Sequence, residues 1–274
     1  MTEFRPSRLE ILPSVVKNLL ILNGLIFLAQ NTIGKSGFVN MEDLFGLHHI
    51  KSPLFHPWQL VTYQFLHADF LHIGMNMFAL YIFGSVLENI WGPKRFLTFY
   101  LVCGIGAGVI QLASLWVQYH DLISMFVKVN GNPDTNNILS FYDNFIFKNE
   151  TGKIIELKQY LQANNNSTFH TEILNHISSF TYHAIGGATI GASGAVFGLV
   201  AAFIYLLPDA SLYLYFLFPI KAKWIGLFYF GSEIFYALQN KPGDQIAHWA
   251  HLGGGLVGFL LVLTWNKKNK TNFY

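Results

Sequence analysis

Charge is scarce in this sequence: Asp, Glu, Lys and Arg make up 12% of its 274 residues, against about 25% in an ordinary soluble domain. Cysteine is scarcer still, with Cys103 alone. One cysteine excludes a disulfide within the chain and a zinc site built from thiolates. The net charge of +2 is too small to attract nucleic acid, so no nucleic-acid partner is expected. No His-Glu-x-x-His segment occurs, which removes the zinc-hydrolase helix. Asp244 of Gly243-Asp244 falls in a loop and lacks a second membrane aspartate to work with. No cofactor or metal is expected. In place of charge stand hydrophobic residues, 52% of the chain, and aromatic ones, 16%. With a positive mean hydropathy, this is the composition of a membrane protein.

The apolar residues gather in six runs, near 15–33, 70–90, 96–117, 192–207, 224–238 and 247–265. About 20 apolar residues cross a bilayer, so the expected fold is an all-α polytopic membrane protein, a bundle of six transmembrane helices. The first run lacks the small-residue cleavage site of a signal peptide and is expected to be retained. Residues 34–63, with Pro53, Pro57, Phe55 and Trp58, are expected to form an amphipathic loop lying in the interface. The stretch 210–219 is too short to span and is expected to dip along one membrane face. Between the third and fourth runs the composition changes to Asn-rich and charged. Residues 118–182 therefore form an expected soluble insert with short helices near 157–161 and 171–177, too long for a plain connection. The organisation expected is 1–117 with helices one to three, the insert 118–182, and 183–274 with helices four to six.

Six crossings put Arg5, Arg8, Lys17, Lys94, Arg95, Lys221, Lys223, Lys267, Lys268 and Lys270 on one side. The short loops opposite carry only Lys35, Lys51 and Lys241, with Lys128, Lys148, Lys153 and Lys158 in the insert. By the positive-inside rule both termini are expected to be cytoplasmic, in a bacterial inner membrane, and the insert is expected to be outside.

Gly191-Ala192-Ser193-Gly194 opens the fourth run. A serine between glycines at a helix start has an exposed hydroxyl and a backbone open to close approach, as a nucleophile needs. The sixth run opens with His248-Trp249-Ala250-His251-Leu252-Gly253-Gly254. Gly194 and Gly198 on one helix and Gly254 and Gly258 on the other form small-xxx-small faces that let two membrane helices pack closely. That contact would bring Ser193 within hydrogen-bond reach of His251. His72 and Asn76 share one face near the outer end of the second helix and offer further donors. Taken singly, the serine motif reads as packing and the His72/Asn76 pair as an interhelical polar contact. His248 competes with His251 as the base but is expected nearer the surface. His67 is expected to be a satisfied interfacial or structural histidine. Glu233, in the fifth run, needs an unnamed partner, first a packing hydrogen bond made while protonated.

Gly191-Ala192-Ser193-Gly194, Ala250-His251-Leu252-Gly253-Gly254 and His72-Ile73-Gly74-Met75-Asn76 occur in the order in which rhomboid intramembrane serine proteases carry them. Pro57-Trp58, Phe65-Leu66-His67, Gly84 and Glu88 add to the likeness. The chain resembles that family over all six runs, leaving out the insert. The resemblance implies hydrolysis of peptide bonds in or near transmembrane segments of membrane proteins by a Ser–His dyad without aspartate. Ser193 would be the nucleophile, His251 the general base and acid, and His72 and Asn76 the oxyanion donors, with Gly191 allowing the sharp entry to the serine. The partners implied are substrate transmembrane segments and the lipid bilayer, and the oligomeric state is left open. Gln59 stands where some rhomboids have arginine, so no arginine role carries over. The alternative is a catalytically silent rhomboid-like protein that binds transmembrane helices. Such proteins usually lack the serine or the histidine, and this chain has both.

Overall fold

Glu88 anchors the start of the bundle. Its carboxylate accepts from the Val15 and Val16 backbone N–H groups at 2.9 and 2.8 Å and from Ser14 Oγ at 3.3 Å. A helix N-terminus presents unpaired N–H groups and a partial positive charge, so this carboxylate is stabilised although only 3% exposed. The helix it caps is α1 (Ser14–Thr32). In the computed structural model the described residues are 10–34, 37, 39–148, 150–163, 167–214, 218–239 and 246–268, of which 167–170, 213–214, 218 and 267–268 are described by backbone alone. Arg5, Arg8, Lys35, Lys241, Lys270, Asp244 and the asparagines at 164–166 lie outside them.

Residues 34–63 are not a plain interfacial loop. They hold two short helices, α2 (Met41–Phe45) and α3 (Gln59–Thr62). Asn40 caps α2 by accepting from the Glu42 and Asp43 N–H groups. Trp58, Gln59 and Thr62 then donate to the Leu44, Asp43 and Phe45 carbonyls. Gln59 is thus a fully buried strut of this segment.

Helix α4 (Phe70–Trp91) loosens into a π-helical stretch at Leu80–Gly84. It ends at Gly92, whose φ of 77° is the left-handed C-terminal stop, and Pro93 starts α5 (Pro93–Gly131) at the position that tolerates proline. Helices α1, α4 and α5 are long and apolar enough to cross a membrane by length and composition. The serine helix α9 (Ser193–Leu206) is apolar but 14 residues long. Helices α10 (Ala222–Gln239) and α11 (His248–Lys268) carry Glu233, His248 and His251 among their apolar residues. Large apolar side chains face outward on these helices, among them Leu25, Phe70, Leu71, Leu227 and Phe228. Water would penalise that surface and lipid does not; the protein is a polytopic, mostly helical membrane protein.

The stretch expected to dip along one membrane face forms two antiparallel strands, β1 (Ser211–Leu214) and β2 (Phe218–Lys221), with Ser211 opposite Lys221. A two-stranded ribbon leaves Pro219 on an edge, where its missing N–H is tolerated. At its base the Lys223 and Lys221 ammonium groups sit 2.8 and 3.3 Å from Asp209 and hold that exposed carboxyl below the usual range.

The chain divides into two compact units. One comprises residues 1–47, 56–113 and 188–274; the other comprises 48–55 and 114–187. The first has a core of Val16, Leu80, Leu87, Phe96, Phe99, Tyr100, Cys103 and Leu199. Its serine helix is buried on every side from Gly194 to Phe203, as a helix apolar all round should be. The second unit is a helical body, its helices longer than the short ones expected near 157–161 and 171–177. The last part of α5, α6 (Thr135–Phe141), α7 (Thr151–Ala163) and α8 (Ser167–Ile185) close over Leu122, Val129, Ile138, Phe141, Leu161 and Ile177. Asp134 caps α6, and Tyr142 Oη pairs with His176 Nδ1 at 2.8 Å. Helix α5 runs well past 117 because no helix breaker occurs before Gly131-Asn132-Pro133.

Candidate active site

Three local structures present the polar groups. Asp69 accepts from the His72 N–H at 2.8 Å and starts α4, which puts His72 in the first turn and Asn76 one turn further on. Gly191 has φ of 127°, a region that residues with a Cβ rarely enter, and its N–H donates to the Tyr63 carbonyl at 2.9 Å. That bend makes Ser193 the first residue of α9. Helix α11 begins at His248, so His251 stands in its first turn.

His251 Nε2 and Ser193 Oγ are 2.8 Å apart. Two backbones make that reach possible. A methyl group on Gly254 would run into the Gly194 carbonyl, and one on Gly258 would lie 2.7 Å from the Gly198 Cα and carbonyl oxygen. Gly198 in turn leaves no room beside Cys103, whose Sγ would be 2.5 Å from a Cβ there. Phe197, one turn after Ser193, stacks on the His251 ring at 4.3 Å and 10° and fixes its plane. The sequence reading missed Phe197, although its spacing of four from Ser193 places both on one face.

His72 lies against the Gly191 bend. A Cβ on Gly191 would be 2.8 Å from His72 Nε2 and 3.6 Å from Ser193 Oγ. His72 Nδ1 accepts from the Ala68 N–H at 3.3 Å, which leaves the ring proton on Nε2, on the side of Gly191 and Ser193. Asn76 Nδ2 donates to the His72 carbonyl at 3.0 Å, using one of its two N–H groups within the helix.

His67 differs from expectation. It is 1% exposed, and neither ring nitrogen has a hydrogen-bond partner among the described residues. Its backbone makes the link instead, exchanging hydrogen bonds with the Gln30 side chain at 3.0 and 3.3 Å. Burial first, then the neighbouring His72, brings the His67 imidazole down to about 4, so it is neutral at physiological pH. His248 is likewise buried, and it faces Glu233 rather than the serine, Nδ1 to Oε2 at 2.6 Å. The same Glu233 oxygen lies 3.1 Å from His251 Nδ1, off the axis of a good hydrogen bond. Glu233 thus has two imidazole neighbours. Its signal in the sequence was the stripe Gly226, Phe230, Glu233, Ala237, which repeats at helical spacing and marks the inward face of α10.

Glu233, His248 and His251 offer three potential metal-ligand atoms within 4.8 Å of one another. The hydrogen bond of His248 to Glu233, with the His251 ring beside the same oxygen, already accounts for their convergence. An apolar crevice of about 550 Å³ between α9, α10 and α11 is lined by Ala201, Ile204, Gly226, Phe230 and Phe259 among others, and none of Ser193, Glu233 or His251 borders it.

Residues 55–121 and 142–268 match the rhomboid domain family. The chain belongs to the rhomboid family. It is 25% identical over 259 residues to RHOMBOID-like protein 12, mitochondrial, of Arabidopsis thaliana, covering 94% of this chain and 60% of that protein. To Rhomboid protein 1, mitochondrial, of Saccharomyces cerevisiae it is 27% identical over 208 residues, 73% of this chain and 40% of that protein. To Rhomboid protease AarA of Providencia stuartii it is 22% identical over 210 residues, 76% of this chain and 56% of that protein. The chain thus spans about half the length of these relatives. The expected placement in a bacterial inner membrane does not stand, because the rhomboid relatives matched over most of this chain include mitochondrial proteins of a plant and a yeast.

Proposed function

We propose that this rhomboid protein is an intramembrane serine protease of a mitochondrial membrane, hydrolysing peptide bonds in or next to transmembrane segments of other membrane proteins. The observation that carries the reading is the 2.8 Å contact of His251 Nε2 with Ser193 Oγ at the start of two helices joined glycine to glycine. His251 Nε2 takes the hydroxyl proton as Ser193 Oγ bonds to the substrate carbonyl carbon. The proton then passes to the leaving amine as the C–N bond breaks, and water resolves the acyl-enzyme by the same steps. His72 Nε2–H, the second Asn76 N–H and the backbone N–H groups of the first turn of α9 supply donors for the oxyanion. A relative named as a rhomboid protease supports the reaction class, and relatives named as mitochondrial support the compartment.

The test is cleavage of a single-pass membrane substrate by the purified chain in liposomes. Cleavage is expected for the wild type and abolished in Ser193→Ala and His251→Ala, with unchanged thermal melts. Turnover retained in Ser193→Ala refutes the mechanism. Loss in His248→Ala with survival in His251→Ala moves the base to His248.

A further inference from the structure

We infer that Glu233 is the electrostatic partner of His251, a carboxylate that positions the imidazole and stabilises its charged form, so that Ser193 and His251 work with a third group rather than as an isolated pair. The inference rests on the Ser193–His251 reading and extends it. His251 must present a bare Nε2 to the serine hydroxyl, which puts its ring proton on Nδ1. Nδ1 faces Glu233 Oε2 at 3.1 Å. When Nε2 takes the serine proton the ring becomes a cation, with its second N–H beside a carboxylate in a setting where charge is little screened: the His251 and Glu233 side chains are 13% and 10% exposed.

His248 accounts for the rest of the geometry. Its Nδ1 donates to the same oxygen at 2.6 Å, so Glu233 is held whether or not His251 is charged. Tyr236 stacks on His248 at 5.5 Å, and Phe197 stacks on His251, so each imidazole has one fixed plane. An isolated buried carboxylate would be costly; one that accepts from His248 and has a second imidazole beside it is less so. Through the cycle Glu233 remains ionised and takes no proton: the serine proton moves to Nε2 and then to the leaving group, and Nδ1 keeps its own. The present off-axis approach matches a resting state whose hydrogen bond tightens when the ring becomes charged.

The full chain in detergent is treated with a fluorophosphonate probe, and the Ser193 labelling rate is followed against probe concentration for wild type, Glu233→Gln, Glu233→Asp and Ser193→Ala. Glu233→Gln is expected to lower the maximal rate about 10²-fold, less than the ~10⁴-fold lost when a well-aligned triad carboxylate is neutralised. The half-saturating probe concentration should stay put, and Glu233→Asp should recover most of the rate. Equal rates in wild type and Glu233→Gln overturn the inference, as do Gln and Asp variants that are equally slow with lowered melting temperatures, since the pair would then be a packing contact. Wild type that fails to label at Ser193 overturns the underlying Ser–His reading, a different result from a labelled wild type indifferent to Glu233. A measurement independent of variant folding is proton NMR of the wild type with ¹⁵N-labelled histidine. Two low-field Nδ1–H resonances, from His248 and His251, are expected, and the absence of the His251 resonance overturns the inference.

Discussion

His72 can serve a developing anion only through Nε2, because its Nδ1 is occupied as an acceptor for the Ala68 N–H. A local backbone contact thus sets the tautomer, and the helix that Asp69 starts sets the direction. Asn76 differs in kind: one N–H is spent on the His72 carbonyl, and the other must do the work. Losing either donor leaves the Ser193–His251 contact intact. Ala substitutions at 72 and 76 are therefore expected to lower kcat for peptide cleavage about 10²-fold each, while Ser193 still reacts with a fluorophosphonate. Unchanged kcat in both variants would make these residues packing contacts and put the oxyanion donors elsewhere.

Between α9 and α11 the contact is backbone against backbone, Gly194 on Gly254 and Gly198 on Gly258. No side chain there can give way, so an added Cβ must move a helix. Gly258→Val is expected to destabilise by about 1 to 3 kcal/mol and to cost activity before folding, because widening this seam lengthens the 2.8 Å contact of Ser193 with His251. Wild-type melting together with full cleavage activity in Gly258→Val would contradict the close-packing account. This seam was legible in the sequence, since glycines four apart on an apolar helix have few uses besides close approach. The Glu233 pairing was less so: the spacing puts Glu233 on the inward stripe of α10, but not opposite which residue of α11. Nor was the hairpin legible, because 211–214 and 218–221 form a short apolar run that strand and membrane-surface segment share.

For the whole molecule, the same contrast holds between what local chemistry encodes and what depends on surroundings. Ser193, His251, His72 and Asn76 could be placed near helix starts because those signals are local, whereas the roles proposed for them came from the resemblance to rhomboid proteases. The second compact unit takes in the last part of α5, because that helix continues past its apolar run until Gly131-Asn132-Pro133 breaks it. The charge distribution ranks one side of a membrane against the other, but it carries nothing about which membrane; hence the bacterial placement gave way to relatives named as mitochondrial. The proposed reaction turns on one oxygen atom, Ser193 Oγ. The intact protein in liposomes is treated with a fluorophosphonate, digested, and searched by mass spectrometry for the modified residue. A single adduct on the Ser193 peptide, absent from His251→Ala protein that melts like wild type, is the predicted result. An adduct on any other serine, or Ser193 modified equally well without His251, would contradict it.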